Sequence, residues 1–196
     1  MDKLGSCADH VRNRFDQIIA QLISKADAVI GAVSYTHLDV YKRQLQMKPL
    51  IISLLITLAA GALSSLFIQD SMQIYKTLNL PPLAPPAWLF PVVWTILYIL
   101  MGISLYLIYV EESPLKKEAI IVYAIQLAFN VLWPFIFFNL QLYLAAFAWL
   151  AILWGLILYM ILLFKKIRSL AAWLQIPYLL WVTFAGYLNF CIWYLN

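Results

Sequence analysis

Between Met47 and the C-terminus lie five apolar runs, each close to the roughly 20 residues that cross a bilayer as a helix. They span about Pro49–Ile68, Trp88–Val110, Ala119–Phe138, Leu142–Phe164 and Ala171–Leu195. In hydrocarbon no water can pair with backbone N–H and C=O groups, so each run must satisfy its own by coiling. A barrel would need short strands of alternating polarity, and none are present. The sequence therefore predicts an all-α fold, an integral membrane bundle of five transmembrane helices over residues 47–196. The composition agrees. A soluble domain must keep its outer face polar, which 65% hydrophobic and 11% charged residues cannot supply.

The connections set the orientation. The first is the Pro-rich stretch around YKTLNLPPLAPPAWLFP, followed by EESPLKKE at 111–118, a short Asn139-Leu140-Gln141 turn and KKIRS at 165–169. Lys48, Lys116, Lys117, Lys165, Lys166 and Arg168 fall on one face of the membrane and only Lys76 on the other. By the positive-inside rule the N-terminus is cytoplasmic, and the Pro-rich loop and C-terminus lie on the opposite face.

Ionisable residues narrow the chemistry. Both histidines, His10 and His37, precede Met47, and the later acids Asp70, Glu111, Glu112 and Glu118 sit at the ends of apolar runs. Ion-coupled transport, proton relays and His-ligated haem need such groups within the membrane. Cys7 and Cys191 form no CxxC pair or disulfide framework. The sequence thus predicts no metal site, and the net charge of +4 reports membrane orientation rather than nucleic-acid binding.

Residues 1–46 differ in kind and read as a non-native or disordered leader. Phe15, Ile18, Ile19, Leu22 and Ile23 recur at helical spacing, so an amphipathic membrane-surface helix is the competing reading. The segment Val33–Gln44, VSYTHLDVYKRQ, resembles a junction stretch that joins unrelated reads in assembled sequences, and Met47-Lys48 looks like a native start.

The Pro-rich loop holds five prolines within the eleven residues Pro81–Pro91. Pro fixes φ and biases the residue before it toward extended backbone, so the loop should be ordered, non-helical and mostly extended. Pro91 suits the first turn of the next helix, where its missing N–H costs nothing. The loop is too apolar for a linker and reads as a lid over the mouth of the bundle.

Three helices carry polar or aromatic stripes at helical spacing: Trp94, Tyr98 and Met101; Gln126, Asn130 and Trp133; and Trp181, Ala185 and Asn189. Converging, they would enclose an aromatic pocket with a few amide groups beneath the lid. Interfacial anchoring or helix–helix bonding is the alternative for any one Trp or amide, and the one assigned to Trp88, Trp149, Trp173 and Trp193. Gly61 with Ser65, and Ala151 with Gly155, make small-xxx-small pairs suited to packing inside one bundle or to a dimer face. A sterol-type pattern, Leu156, Tyr159 and Lys165, arises too cheaply to carry weight.

The stretches YKTLNLPPLAPPAWLFPVVWTILYILMG, QLAFNVLWPFIFF and IPYLLWVTFAGYLNFCIWYLN resemble the TspO/MBR family of tryptophan-rich sensory proteins and translocator proteins. The resemblance implies a five-helix membrane bundle, commonly a homodimer, that binds porphyrins or other hydrophobic small molecules in a pocket closed by the first loop. It implies ligand-facing roles for Tyr75, Pro85, Trp94, Asn130, Trp133, Trp181 and Ala185, to which the stripe adds Tyr98. The tetrapyrrole would be a ligand rather than a required cofactor. Three positions depart from the family pattern: Ile74 replaces a usual Trp, Leu80 a usual Lys, and Leu83 a frequent aromatic. These weaken carboxylate recognition by the loop and a fully aromatic lid. The function expected is receptor-like binding with a regulatory or stress-sensing role. The alternatives are light-dependent porphyrin degradation, with Trp94 and Trp133 as the reactive groups, and facilitated movement of such ligands.

Overall fold

The structure is a computed structural model of the 196-residue chain. It describes residues 47–68, 75 and 77–196, together with Gln17, Gln21, Ser24 and Lys25, which are exposed helical positions. By its contacts the chain divides into Met1–Met47 and Lys48–Asn196, and the second unit is the subject below. The apolar face expected before Met47, the junction segment, and Ile74 and Lys76 lie outside the described residues.

Five helices are long and apolar enough to cross a membrane. Helix α1 is Met47–Leu66. Helix α2 is Leu89–Tyr109, and α3 is Lys116–Pro134, continued by a π-helical turn over Phe135–Asn139. Helix α4 is Tyr143–Ile167, and the last span consists of a short α5, Ser169–Trp173, and α6, Ile176–Leu195. The spans match the apolar runs to within a few residues at each end, because run length and backbone satisfaction decide both.

Two prolines shape what the run lengths did not predict. Pro177, in the first turn of α6, has no N–H to offer the carbonyl of Trp173, so the last span breaks between α5 and α6. Pro134 likewise leaves the carbonyl of Asn130 without its helical donor. The turns after it widen: Leu140 N–H reaches Phe135 O at 3.1 Å and Leu142 N–H reaches Ile136 O at 3.2 Å. Gln141 then takes a left-handed φ of 53°, which lets α4 start at once.

Helix α4 packs against α3, α5 and α6, while α2 packs against α3 and α5. The inward stripe of α4 is Ala146, Leu150, Leu153, Ile157, Met160 and Phe164, at three- and four-residue spacing. Ser104 Oγ donates to Ala171 O at 2.8 Å and ties α2 to α5. Helix α1 is peripheral: 17% of its apolar window is buried, against 44% for α2 and α3. Its exposed Ile51, Ile52, Leu55 and Leu66 suit a lipid solvent, which is as apolar as they are. On α4, Ala151 and Gly155 face outward, and a Cβ added at Gly155 would meet nothing within 4 Å.

Candidate functional site

Helices α1 and α2 are clamped at two glycines. A Cβ at Gly102 would lie 2.8 Å from Thr57 Oγ1 and 3.1 Å from the Leu54 Cα, and one at Gly61 would lie 2.6 Å from the Tyr98 ring. Beyond Gly61, toward the Pro-rich loop, the helices part and α3 closes the space. The result is a cavity of about 440 Å³. Its walls are Gly61, Ser64 and Ser65 from α1, Phe90, Trp94 and Tyr98 from α2, Asn130, Trp133, Pro134 and Phe138 from α3 and its continuation, and Tyr75 from the loop. Exposed Ala62, Ser65, Pro91 and Thr95 form part of its lining, so it opens sideways through the seam between α1 and α2. The hydroxyls on that seam are satisfied within their own helices, Ser65 by Ala62 O at 2.6 Å and Thr95 by Pro91 O at 2.8 Å.

One hydrogen-bonded chain runs from the wall into the core. Tyr98 hydroxyl donates to Asn130 Oδ1 at 2.6 Å, and Asn130 Nδ2 donates to the Tyr178 hydroxyl at 2.9 Å. Tyr178 in turn donates to Gln126 Oε1 at 3.0 Å. All four side chains are buried, so each bond forms where water cannot compete. Gln126 Nε2 and the Tyr123 hydroxyl, also buried, have no partner among the described residues. Trp133 is held separately: its Nε1 donates to Asn189 Oδ1 at 3.3 Å, Asn189 Nδ2 donates to Tyr143 O at 2.7 Å, and its ring stacks on Phe137 at 5.1 Å.

The residues singled out from sequence fall into two groups. Tyr75, Trp94, Tyr98, Asn130 and Trp133 line the one cavity. Pro85, Trp181 and Ala185 are not part of its lining. Pro85 is buried behind Tyr75 and accepts its hydroxyl at 3.2 Å, so it positions the phenol. Burial raises the Tyr75 pKa above the ordinary phenol value and keeps it neutral. Trp181 lies behind the wall, its ring 6.1 Å from Phe90, and Ala185 packs against the main core. The stripe of α6 is screened from the cavity because Phe90 and Trp94 stand between them, Trp94 lying 6.2 Å from the Tyr178 ring. Met101 is fully buried in the core.

Of the described residues between α1 and α2, Ile68 and Tyr75 line the cavity. The prolines form turns, with Ala84 N–H bonded to Pro81 O and Leu89 N–H to Pro86 O, both at 2.9 Å, and Pro91 takes the first turn of α2 as expected. The loop is fastened to the end of α6: Asn79 N–H donates to Asn196 Oδ1 at 3.0 Å, and Asn196 Nδ2 donates back to Asn79 O at 3.3 Å.

Sequence reasoning missed Tyr178 and most of the α1 wall. Tyr178 lies three residues before Trp181, so extending the α6 stripe by one turn would have found it. On α1, Leu58, Gly61, Ala62 and Ser65 recur at three- and four-residue steps, a face on which the spacing singles out only Gly61 and Ser65, for helix packing or a dimer face.

Such a cavity suits apolar, planar ligands. Its aromatic walls offer stacking, its polar lining groups are neutral, and no charged side chain lines it among the described residues.

The sequence matches the TspO/MBR family over residues 53–195. The chain belongs to the TspO/MBR family. It is similar to "Tryptophan-rich protein TspO" of Chlorobaculum tepidum, with 39% identity over 156 residues, 77% of this chain and 98% of that protein. It is 38% identical to "Protein CrtK" of Rhodobacter capsulatus over 70% of this chain and 86% of that one. The sheep (Ovis aries) "Translocator protein" is 35% identical over 68% of this chain and 81% of its own. Every residue lining the cavity falls inside the family region, which runs from α1 to the end of α6. Five apolar helices and family membership make this an integral, multi-pass membrane protein.

Proposed function

We propose that this TspO/MBR protein is a receptor-like binder of porphyrins or similar flat hydrophobic ligands, with a regulatory or stress-sensing role. The observation that carries the reading is the convergence of Trp94, Trp133, Tyr98, Tyr75 and Asn130 on one cavity. A planar ring would stack on the two indoles, each such contact worth about 0.5–1.5 kcal/mol beyond the area buried. Asn130 and Tyr98 would orient a polar edge. The sideways opening lets a membrane-dissolved ligand arrive without crossing water. In the same reading the lysine-rich face is cytoplasmic and the cavity lies in the opposite half of the bilayer.

The test is a protoporphyrin IX titration of the full chain in detergent, followed by Trp fluorescence in darkness and under illumination. Saturable quenching, weakened by Trp94→Phe or Trp133→Phe and unaffected by Trp173→Phe at an exposed position of α5, supports the receptor. Absence of saturable quenching would overturn it. A second reading, light-dependent porphyrin degradation, rests on the same two indoles facing one cavity. It predicts protein-dependent bleaching in light that Trp94→Phe or Trp133→Phe abolishes.

A further inference from the structure

At the other end of the bundle a second recess lies between the first turn of α3 and the last two turns of α4. It measures about 580 Å³ and is lined by Leu115, Glu118, Tyr159, Leu162, Leu163, Lys165 and Lys166. Tyr159, Leu162, Leu163 and Lys166 follow one another at the three- and four-residue steps that put side chains on one helix face. The recess therefore runs from apolar wall to basic rim along the helix axis. Its rim stands where the two membrane spans end, Lys165 and Lys166 within the last turn of α4 and Glu118 within the first turn of α3.

The charges on this rim are unequally matched. Arg168 is paired with Glu111 at 2.7 Å, the one ion pair among the described residues. Glu118 accepts the Tyr159 hydroxyl across the recess, and Lys116 lies 5.1 Å from the Tyr109 ring. Lys165 and Lys166 are exposed and have no carboxylate partner among the described residues. Lysines in the last turn of a helix also offset its dipole, but that contribution needs neither a recess nor an apolar wall beside them.

We propose that this recess seats an anionic glycerophospholipid, its phosphate at Lys165 and Lys166 and one acyl chain along Leu162 and Tyr159. The pairing of a basic rim at the membrane boundary with an apolar wall on its hydrocarbon side matches that class of molecule and no soluble anion. A sterol would leave both lysines unmatched, and its hydroxyl would compete with Glu118 for Tyr159. The site is independent of the cavity, which lies at the other end of α3.

The experiment is native mass spectrometry of the full chain released from micelles with equal phosphatidylglycerol and phosphatidylcholine of identical acyl chains. We expect preferential retention of one phosphatidylglycerol. Lys165→Gln with Lys166→Gln should cut that preference by roughly five- to thirty-fold, from about one lysine's to two lysines' worth of surface attraction. Lys48→Gln with Lys117→Gln removes the same charge outside the recess and should leave the preference within about twofold. Leu162→Trp, which keeps every charge and fills the recess, should also displace the lipid and serves if the lysine variant does not fold. Equal retention of the two lipids, an equal effect of the control pair, or unchanged retention in both recess variants would overturn the proposal. So would competition by glycerol phosphate, which lacks acyl chains, or displacement by cholesterol at equal concentration.

Discussion

The Tyr98 hydroxyl donates to Asn130 Oδ1 across 2.6 Å, joining a residue of α2 to one of α3 at the wall of the cavity. Asn130 passes the connection inward to Tyr178 on α6, so the wall and the core share one polar chain. A side chain that shapes the site thereby also fastens three helices, and substitutions in it should report on both.

The chain predicts an order of stability losses. Tyr98→Phe leaves Asn130 Oδ1 buried without its donor and should cost about 1–3 kcal/mol. Tyr178→Phe strands Asn130 Nδ2 and Gln126 Oε1 together and should cost more. Because both act through Asn130, the double variant should lose less than the two single losses added. Thermal unfolding in detergent reads all three; additive losses would show that the chain is not one unit.

Gly61→Ala should perturb the cavity without removing any of its polar groups. The new methyl would stand 2.6 Å from the Tyr98 ring, which must then move away from Asn130 or push α1 outward. Overpacking of this kind costs about 1–3 kcal/mol. A melting point unchanged from wild type would mean that α1 does not approach Tyr98 this closely.

Two other glycines should respond in opposite directions. At Gly102 an alanine meets the Leu54 backbone, which cannot yield as a side chain can, and stability should fall by about 1–3 kcal/mol. At Gly155 the methyl enters open space, and the better helix former should hold or raise stability by up to about 1 kcal/mol. Paired thermal unfolding curves check the sign of each.

Asn196→Ala should loosen the Pro-rich loop. It removes the side-chain bonds to Asn79 N–H and O; both are exposed to competing solvent, so each contributes no more than about 0.5 kcal/mol, the low end for a hydrogen bond. Faster hydrogen exchange or proteolysis over residues 78–88, with the helices unaffected, is the expected result. No change in the loop would place its anchorage in the Tyr75–Pro85 contact and the Asn79 Nδ2 bond to Leu195 O.

Gln141→Gly should stabilise the bundle. The left-handed φ of 53° costs a side-chain-bearing residue about 1–2 kcal/mol and glycine nothing, while the unfolded chain gains freedom worth part of that. A net gain of about 0.5–1 kcal/mol in chemical unfolding is expected.

The number, order and extent of the membrane helices were legible in the sequence, because an apolar run of bilayer length has no alternative to a helix. The aromatic and amide stripes were legible for the same reason of period: Trp94 with Tyr98, and Asn130 with Trp133, must share a face wherever their helices lie. Which faces meet is not a property of any one helix. The clamps at Gly61 and Gly102, set by how closely two backbones can approach, put α1 rather than α6 on the cavity wall. They leave Trp181 one layer behind, screened by Phe90. Tyr178 looked like one aromatic among many until packing brought its hydroxyl between Asn130 and Gln126. Periodicity thus determined what each helix could present, and close packing between helices decided what it presents it to.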